Sequence, residues 1–404
     1  MIIHRPLEEE ELKSVKKWTM IYGRRKTGKS FLVQNFIHYD EYFFVNRDRT
    51  LLSKTTERQI DYNAFIEIIR MSLESGKTVV VDEFHRLDSK FFDYLHSMKK
   101  SGRLILLTST LFLSKKLLSE KSPLLGLFYE KQIHIIDLND CLSELKHRKL
   151  DMRELLEAAI MLREPINIEY FDPKKSIRKS SVEMLKGSVN AVPALIGEIF
   201  LEEERGLSKI YESIVRAVAN GKVVSGEISS SLFSKGLIPK DNPGTLQPYL
   251  ATLINIGLLK RIEVYGKNRF VYKIPSPLMR LFFYADEKYG ISQRRFNSAE
   301  SLRIIDELMP HIVEDVIREY FAYKFGLTEA IAESKDYDID GLLMKFKKPE
   351  IAIEVKWGRK VDIAEVMEAE RKLARINTKR KVLFVPNKAG LSSKILEILD
   401  PEDL

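Results

Sequence analysis

Cysteine occurs once in the 404 residues, at Cys141. A single thiol excludes an intrachain disulfide and a Cys-based zinc site, and makes a reducing cytosol the simplest home. Long apolar runs are equally scarce. The longest, LILLTSTLFL at 104–113, is far short of a membrane span and carries three hydroxyls. The opening stretch MIIHRPLEEEELKS has no apolar segment of the signal-peptide kind. These absences together lead to the expectation of a soluble, cytoplasmic protein with no membrane partner.

What is present is core-forming material and charge. Hydrophobic residues make up 44% of the chain and charged residues 31%. The length exceeds what one core organises, so two to four domains are expected. The formal charge of +8 is unevenly spread. From Gly206 to Gly290 twelve Lys/Arg face six Asp/Glu, a net of +6. That is either a local basic surface or an ordinary solvated face.

Near the front, KWTMIYGRRKTGKSFLVQNFI reads as an apolar strand, a glycine-rich turn and a helix. Gly23, Gly28, Lys29 and Ser30 occupy every fixed place of G-x-x-x-x-G-K-[ST]. Glycines permit the dihedrals that turn the backbone N–H groups of Arg24, Arg25, Lys26 and Thr27 inward as an anion nest. Lys29 then reaches the β- and γ-phosphates, Ser30 holds magnesium, and the following helix directs its positive dipole end at the same anion.

GKTVVVDEFHRL adds a buried strand ending in Asp82 and Glu83. A carboxylate beside the cradle is what the magnesium water shell needs, which suits Asp82, and Glu83 is placed to polarise an attacking water as general base. One strand (EYFFVN) and one helical segment, about 56–74, are expected between the two motifs. GRLILLTST ends a further buried strand in hydroxyls, with Ser109 the candidate γ-phosphate sensor, and KQIHIIDL supplies a fifth strand. Strands alternating with helices imply a parallel sheet with helices on both faces.

The middle of the chain changes pattern. LSKIYESIVRAVANG has apolar residues at helical spacing, and TLQPYLATLINIGLLKRIEVYGKNRFVYKI reads as a helix capped by Thr245 and then a ribbon turning at Gly266-Lys267-Asn268. Lys260, Arg261, Lys267, Arg269 and Lys273 on or beside the ribbon are candidate DNA contacts. The helix itself has no Lys or Arg between Thr245 and Leu259, so phosphate contact is expected rather than sequence reading. A purely structural spacer fits the same residues.

Near the end, IAIEVKWG (351–358) alternates, with Ile351, Ile353, Val355 and Trp357 on one face and Ala352, Glu354 and Lys356 on the other. SKDYDIDGLLMKFKKPE before it reads as a strand and a turn near Lys348. That register sets Asp340 opposite Lys356 and diagonal to Glu354, about 7–8 Å apart at the backbone. The two carboxylates then converge on one hard divalent ion, with Lys356 orienting water or balancing phosphate charge. A solvated edge strand is the plainer reading of Glu-x-Lys alone.

Two resemblances follow from these motifs. IYGRRKTGKS, VVVDEF, LTST and SPLLG occur in the order of the archaeal ATPase family of the AAA+/STAND class. The resemblance implies ATP/ADP with Mg2+, a P-loop core over 1–140, a helical lid over 141–205 and a winged helix over 206–290, and it allows a homo-oligomer. Two positions depart from the family: Leu127 and Phe128 stand where an arginine pair is usual, and the lid's Gly-Gly-x-Pro is LREP, with Glu164 before Pro165. Arg163 is the candidate substitute for the missing charge. Asp340, the hairpin and Glu354-x-Lys356 resemble the PD-(D/E)XK nuclease superfamily, which implies a catalytic Glu314 on the preceding helix and a restriction-endonuclease-like α/β domain over 295–404. The expected fold is therefore multidomain α/β, and the expected function an ATP-dependent switch with a metal-dependent DNA nuclease-like tail. The alternatives are a regulatory ATPase with an inert tail, or a non-enzymatic DNA tether.

Overall fold

The computed structural model describes residues 1–111, 126–148, 150–172, 174–202, 209–334, 337–358 and 360–404. Most of the SPLLG motif, Leu207 and the expected lid boundary at 205 lie outside the described residues. Among the described residues two seven-stranded sheets organise the chain.

The first sheet is built from β1 (Thr19–Tyr22), β2 (Glu41–Val45), β3 (Leu51–Ser53), β4 (Arg58–Ile60), β5 (Thr78–Asp82), β6 (Arg103–Thr108) and β7 (Tyr129–Gln132), in the order β4-β3-β2-β5-β6-β1-β7. The five strands from β2 to β7 in that order are mutually parallel. Val79, Val80, Val81, Leu104, Ile105, Leu106 and Leu107 are all fully buried, because both faces of a parallel sheet are covered. The segment between β2 and β5 differs from expectation. Residues 58–60 are strand, and the helix runs only from Tyr62 to Glu74. Asp61 starts it by accepting a hydrogen bond from the Ala64 N–H, while Glu57 turns the chain ahead of it with a positive φ of 56°.

The second sheet joins two regions distant in sequence. It contains β8 (Lys260–Val264), β9 (Phe270–Lys273), β10 (Thr328–Glu333), β11 (Asp338–Lys345), β12 (Lys348–Val355), β13 (Arg380–Phe384) and β14 (Glu397–Leu399), in the order β14-β13-β12-β11-β10-β8-β9. The ribbon β8–β9 thus pairs through β8 with β10, in parallel, Val264 beside Ile331. Three helices, Lys209–Ala219, Ser225–Ser234 and Gln247–Asn255, precede the ribbon. Thr245 is not the cap of the third. Asn242 accepts from the Gly244 N–H at the start of a preceding 3-10 turn, and Thr245 donates to the Asn242 carbonyl.

The helix Ile177–Glu202 is long and apolar enough by composition to span a membrane. Its Val182, Leu185, Val192, Ile196, Ile199 and Phe200 instead join one core shared with the helices Met152–Leu162, Pro277–Tyr289 and Ser298–Phe325. That core continues into Ile351, Ile353, Val355 and Trp357, the apolar face expected for β12.

Charge locks these pieces together on the helix Ser298–Phe325. Glu319 accepts from Arg163 of the lid region at 2.5 Å and from Lys260 of the ribbon at 2.6 Å. One turn earlier, Asp315 meets Arg280 at 2.5 Å, Arg318 at 2.6 Å and Lys273 at 3.3 Å. Burial works against both carboxylates, but the surrounding cations outweigh it and hold both pKa values well below the ordinary range. A depressed carboxylate pKa stabilises the fold above the unfolded-state value and loses that contribution as pH falls. Glu319→Ala is expected to cost about 2 kcal/mol in urea unfolding at about pH 7. The difference between variant and parent should shrink as the pH falls below the unfolded-state carboxylate value, because the unfolded parent then takes up a proton that the folded parent still refuses.

Candidate nucleotide site and carboxylate site

The turn after β1 is shaped by two glycines. A Cβ on Gly23 would sit 2.1 Å from the Ile133 carbonyl oxygen, so only glycine lets β1 leave the sheet this close to the strand beside it. Gly28 has φ +88°, the left-handed region, and directly precedes the helix Lys29–Phe36. Lys29 Nζ is folded over the loop, donating to the carbonyls of Gly23 at 2.9 Å and Arg24 at 3.1 Å. Lys26 also has a positive φ, of 66°. The loop is anchored from outside as well, by Arg5 Nη2 donating to the Thr27 carbonyl at 2.6 Å.

Asp82 and Glu83 leave the end of β5 in different directions. Asp82 is buried beside the cradle, where its Oδ2 accepts from the Tyr42 hydroxyl at 2.7 Å and its carboxylate also bonds the Ser30 hydroxyl. Burial and the neighbouring Glu83 charge push its pKa up; Tyr42, Ser30 and Lys29 only partly offset this. Glu83 has φ 58°, a left-handed conformation unusual outside glycine and common where function demands it. This conformation brings Oε2 within 2.9 Å of Ser109 Oγ and 3.2 Å of Ser109 N, both donating. The expected base and the expected sensor are therefore direct hydrogen-bond partners. His85, 3.4 Å from the same oxygen and 2.9 Å from Thr108 Oγ1, joins them.

Lys29, Ser30, Glu83 and Ser109 open on one cavity of about 670 Å³. Pro165 and Ile166, with Glu198 of the helix Ile177–Glu202, supply its other wall. Glu198 pairs with Arg25 of the loop and, at 3.0 Å, with Arg47. The departure at Glu164 is answered within the loop itself. Arg24 is buried and forms an ion pair with the fully buried Glu164, and its other nitrogen lies 3.8 Å from Met279 Sδ. Arg163, the candidate substitute for the missing charge, donates to the Ile136 carbonyl and pairs with Glu319. Sequence reasoning missed Arg5 altogether, and for Arg24 it foresaw the backbone N–H but not the side-chain pair with Glu164. The Arg5 signal lies in its own helix start, RPLEEE, but its contact is 22 residues away.

The ribbon cations are occupied. Lys260 bonds Glu319 and Glu329, Lys267 lies 3.8 Å from Glu333, Arg269 also pairs with Glu333, and Lys273 faces Asp315. Arg261 stacks over the Phe270 ring, with 4.7 Å to its centroid. Four of the five expected DNA contacts thus also tie the ribbon to carboxylates later in the chain.

The hairpin β11–β12 is offset by two residues from the expected register. Gly341 pairs with Ile353 and Leu342 with Ala352, so Asp340 sits across from Glu354, not Lys356. The cause is a tight turn through Phe346 and Lys347, both at positive φ, with a bulge at Met344. An even offset keeps every side chain on its expected face. Asp340 Oδ2 accepts from the Val355 N–H at 2.9 Å. Burial and the charges of Glu354 and Glu314 raise its pKa well above the usual range, so Glu314 acts on the same site although it also bonds His311 at 3.1 Å. Burial raises Glu354 as well, against Lys372 and Lys356. Lys356 lies 3.4 Å from Glu354, but the closer lysine is Lys372 at 2.8 Å, from the helix Ile363–Leu373. Sequence spacing offered no signal for Lys372, which reaches the site across the sheet from its own helix.

For a cation, the donor set is the buried carboxylate of Glu354 and the half-buried one of Asp340, both with pKa values raised chiefly by desolvation. Glu354 Oε2 is buried without a hydrogen-bond partner. Among the described residues no group of three or more His, Cys, Asp or Glu forms a ready cage. The residues fit a hard ion held by Asp340 and Glu354 with water completing its shell.

Residues 15–160 match the family model of the AAA domain. No curated protein sequence matches the chain. Among solved structures, the ORC2 protein of Aeropyrum pernix in its ADPNP-ADP complexes aligns at 13% identity with a TM-score of 0.41, over 78% of this chain and 95% of that one. A Signal Transduction ATPase with Numerous Domains from Pyrococcus horikoshii, carrying a tetratricopeptide repeat sensor, aligns at 15% identity and TM-score 0.31, over 80% of this chain and 48% of its own. The Aeropyrum pernix ORC1 protein in complex with DNA aligns at 13% and 0.31, over 72% and 94%. The chain carries an AAA domain, and the phosphate loop, Asp82, Glu83 and Ser109 all lie inside it.

Proposed function

We propose that this protein binds and hydrolyses ATP with magnesium in the 670 Å³ cavity, and that nucleotide state is read by its lid. The observation that carries this reading is convergence: Lys29 and Ser30 from the loop, Glu83 after β5 and Ser109 after β6 open on one cavity beneath lid residues. Ser30 and Asp82 would hold magnesium, which supplies charge neutralisation on the phosphates. The raised pKa of Asp82 reflects its burial and the adjacent Glu83 charge, both of which a bound divalent cation would offset. Lys29 would exchange its two loop carbonyls for phosphate oxygens. Glu83 serves as base once Ser109 releases it, so the Glu83–Ser109 bond is the resting form of the catalytic pair. Phe31, Pro165 and Ile166 form the apolar end of the cavity, suited to a base.

The second half of the proposal concerns the C-terminal unit: a nuclease-like module of the PD-(D/E)XK type, docked behind three helices and a ribbon arranged as a winged helix. Its support is the order helix, β10, β11, β12, helix, β13, with β10–β12 antiparallel and β13 parallel to β12, and with Asp340, Glu354 and Lys356 on one hairpin. In this reading Asp340 and Glu354 bind a divalent ion, Glu314 shapes their field, and Lys356 faces the scissile phosphate. A regulatory ATPase with an inert tail is the competing reading. Its support is that Lys372 and Lys356 already neutralise Glu354.

Lys29→Ala is expected to abolish ATP binding in calorimetric titration, and an undiminished affinity would overturn the nucleotide site. Glu83→Gln should keep ATP affinity within about threefold while lowering turnover at least a hundredfold. Incubating plasmid DNA with manganese separates the two readings of the tail. Nicking that Asp340→Ala removes supports the nuclease, whereas a folded parent that leaves the plasmid intact with and without ATP supports the regulator.

A further inference from the structure

The turn joining β11 to β12 is unlike the rest of the surface. Phe346 at its tip is 92% exposed, more than any other large hydrophobic side chain among the described residues. Phe346 and Lys347 have φ of 48° and 64°. Asn and Gly are the residues that take this conformation at little cost in a two-residue hairpin turn; an aromatic and a lysine are held there against preference. Lys345, Lys347 and Lys348 flank the ring and are all exposed. None of the three forms an ion pair among the described residues, in contrast to the ribbon cations. Beside the turn, Lys348, Arg375 and Lys379 line a hollow of about 780 Å³ together with Tyr265 and Thr378. The one acid there, Glu350, is 2.8 Å from Lys379.

We infer that this hairpin tip is a DNA-binding element, with Lys345, Lys347 and Lys348 on backbone phosphates and the Phe346 ring against a base. Three uncompensated ammonium groups within four residues match a phosphate backbone, whose affinity is dominated by such contacts. A solitary protruding aromatic between them matches a base face or an opened base step. A membrane surface is less well matched, since a tip that enters lipid presents several large apolar groups and this one presents a single ring. The inference does not depend on catalysis at Asp340. That residue and Phe346 are six positions apart on one extended segment, about 20 Å, so substitutions at the tip leave the carboxylates untouched.

The test is fluorescence anisotropy with a labelled single strand and a labelled duplex of about 30 nucleotides, using the full chain without added metal. Phe346→Ala is expected to weaken binding about tenfold. Replacing Lys345, Lys347 and Lys348 by alanine should lower the slope of log affinity against log salt by about two to three. The pair Phe346→Asn with Lys347→Gly supplies the folding control. It should raise the thermal midpoint by relieving the turn while still weakening DNA, an opposition that a merely structural tip cannot produce. A preference for the single strand identifies stacking on unpaired bases, and a preference for the duplex identifies insertion at a base step. Either supports the inference. Affinity for both probes unchanged in all three variants overturns it, as does binding to phosphatidylserine vesicles with none to DNA. Asp340→Ala should leave this binding intact, so loss of nicking in that variant speaks only to the nuclease reading.

Discussion

Neutralisation of two carboxylates on one helix underlies the arrangement of the whole chain. Asp315 and Glu319 lie one turn apart on the helix Ser298–Phe325, and between them they take cations from the lid region, the ribbon and the helix Pro277–Tyr289. Asp315 is buried and Glu319 partly so, and charge withdrawn from water is costly unless well-placed partners offset the desolvation. Each cation therefore helps fix where its own segment sits, and directionality comes from charge where the shared apolar core would tolerate sliding. Trp357 adds a second staple. Its Nε1 donates to Glu157 at 3.0 Å while its ring stacks on Phe384, tying the end of β12 to the helix Met152–Leu162. Glu157 also takes Arg178 at 2.5 Å, so the same carboxylate reaches the long helix Ile177–Glu202.

This wiring ties the phosphate loop to elements beyond its own cavity. Arg24 lies within the loop, pairs with Glu164 and touches Met279 of the helix that also carries Arg280. Arg280 in turn bonds Asp315. Any rearrangement of the loop around a nucleotide must either preserve the Arg24–Glu164 pair or expose it, and both choices bear on elements more than a hundred residues away. Glu198 makes a parallel connection, since it holds Arg25 of the loop and Arg47 after β2 from the lid helix.

Left-handed residues and buried polar atoms without a hydrogen-bond partner occur at several places, Arg49, Glu57, Asn167 and Ser181 among them, and some bear on function. Glu83 is left-handed at the nucleotide cavity, and Phe346 and Lys347 are left-handed at the hairpin tip. Glu354 keeps a buried oxygen without a partner at the carboxylate site. Local preference yields at each of the three regions to which function is ascribed, though not at these alone.

Short-range patterns made much of this protein readable. The phosphate loop, its preceding strand and following helix, and the ends of β5 and β6 were legible because period, glycine spacing and the residue after each apolar run are local properties. So was the alternation of β12, since a two-residue offset cannot move a side chain to the other face. The register itself was not legible, because it depended on a turn through Phe346 and Lys347 that no turn preference would select. Pairings across the chain were equally hidden: Arg24 with Glu164, Lys372 with Glu354, and the ribbon cations with Glu319, Glu329 and Glu333. A net charge reports how many cations a segment carries but not how many meet carboxylates from elsewhere. That depends on which surfaces the fold presses together, and here it set four of the five ribbon cations against carboxylates later in the chain.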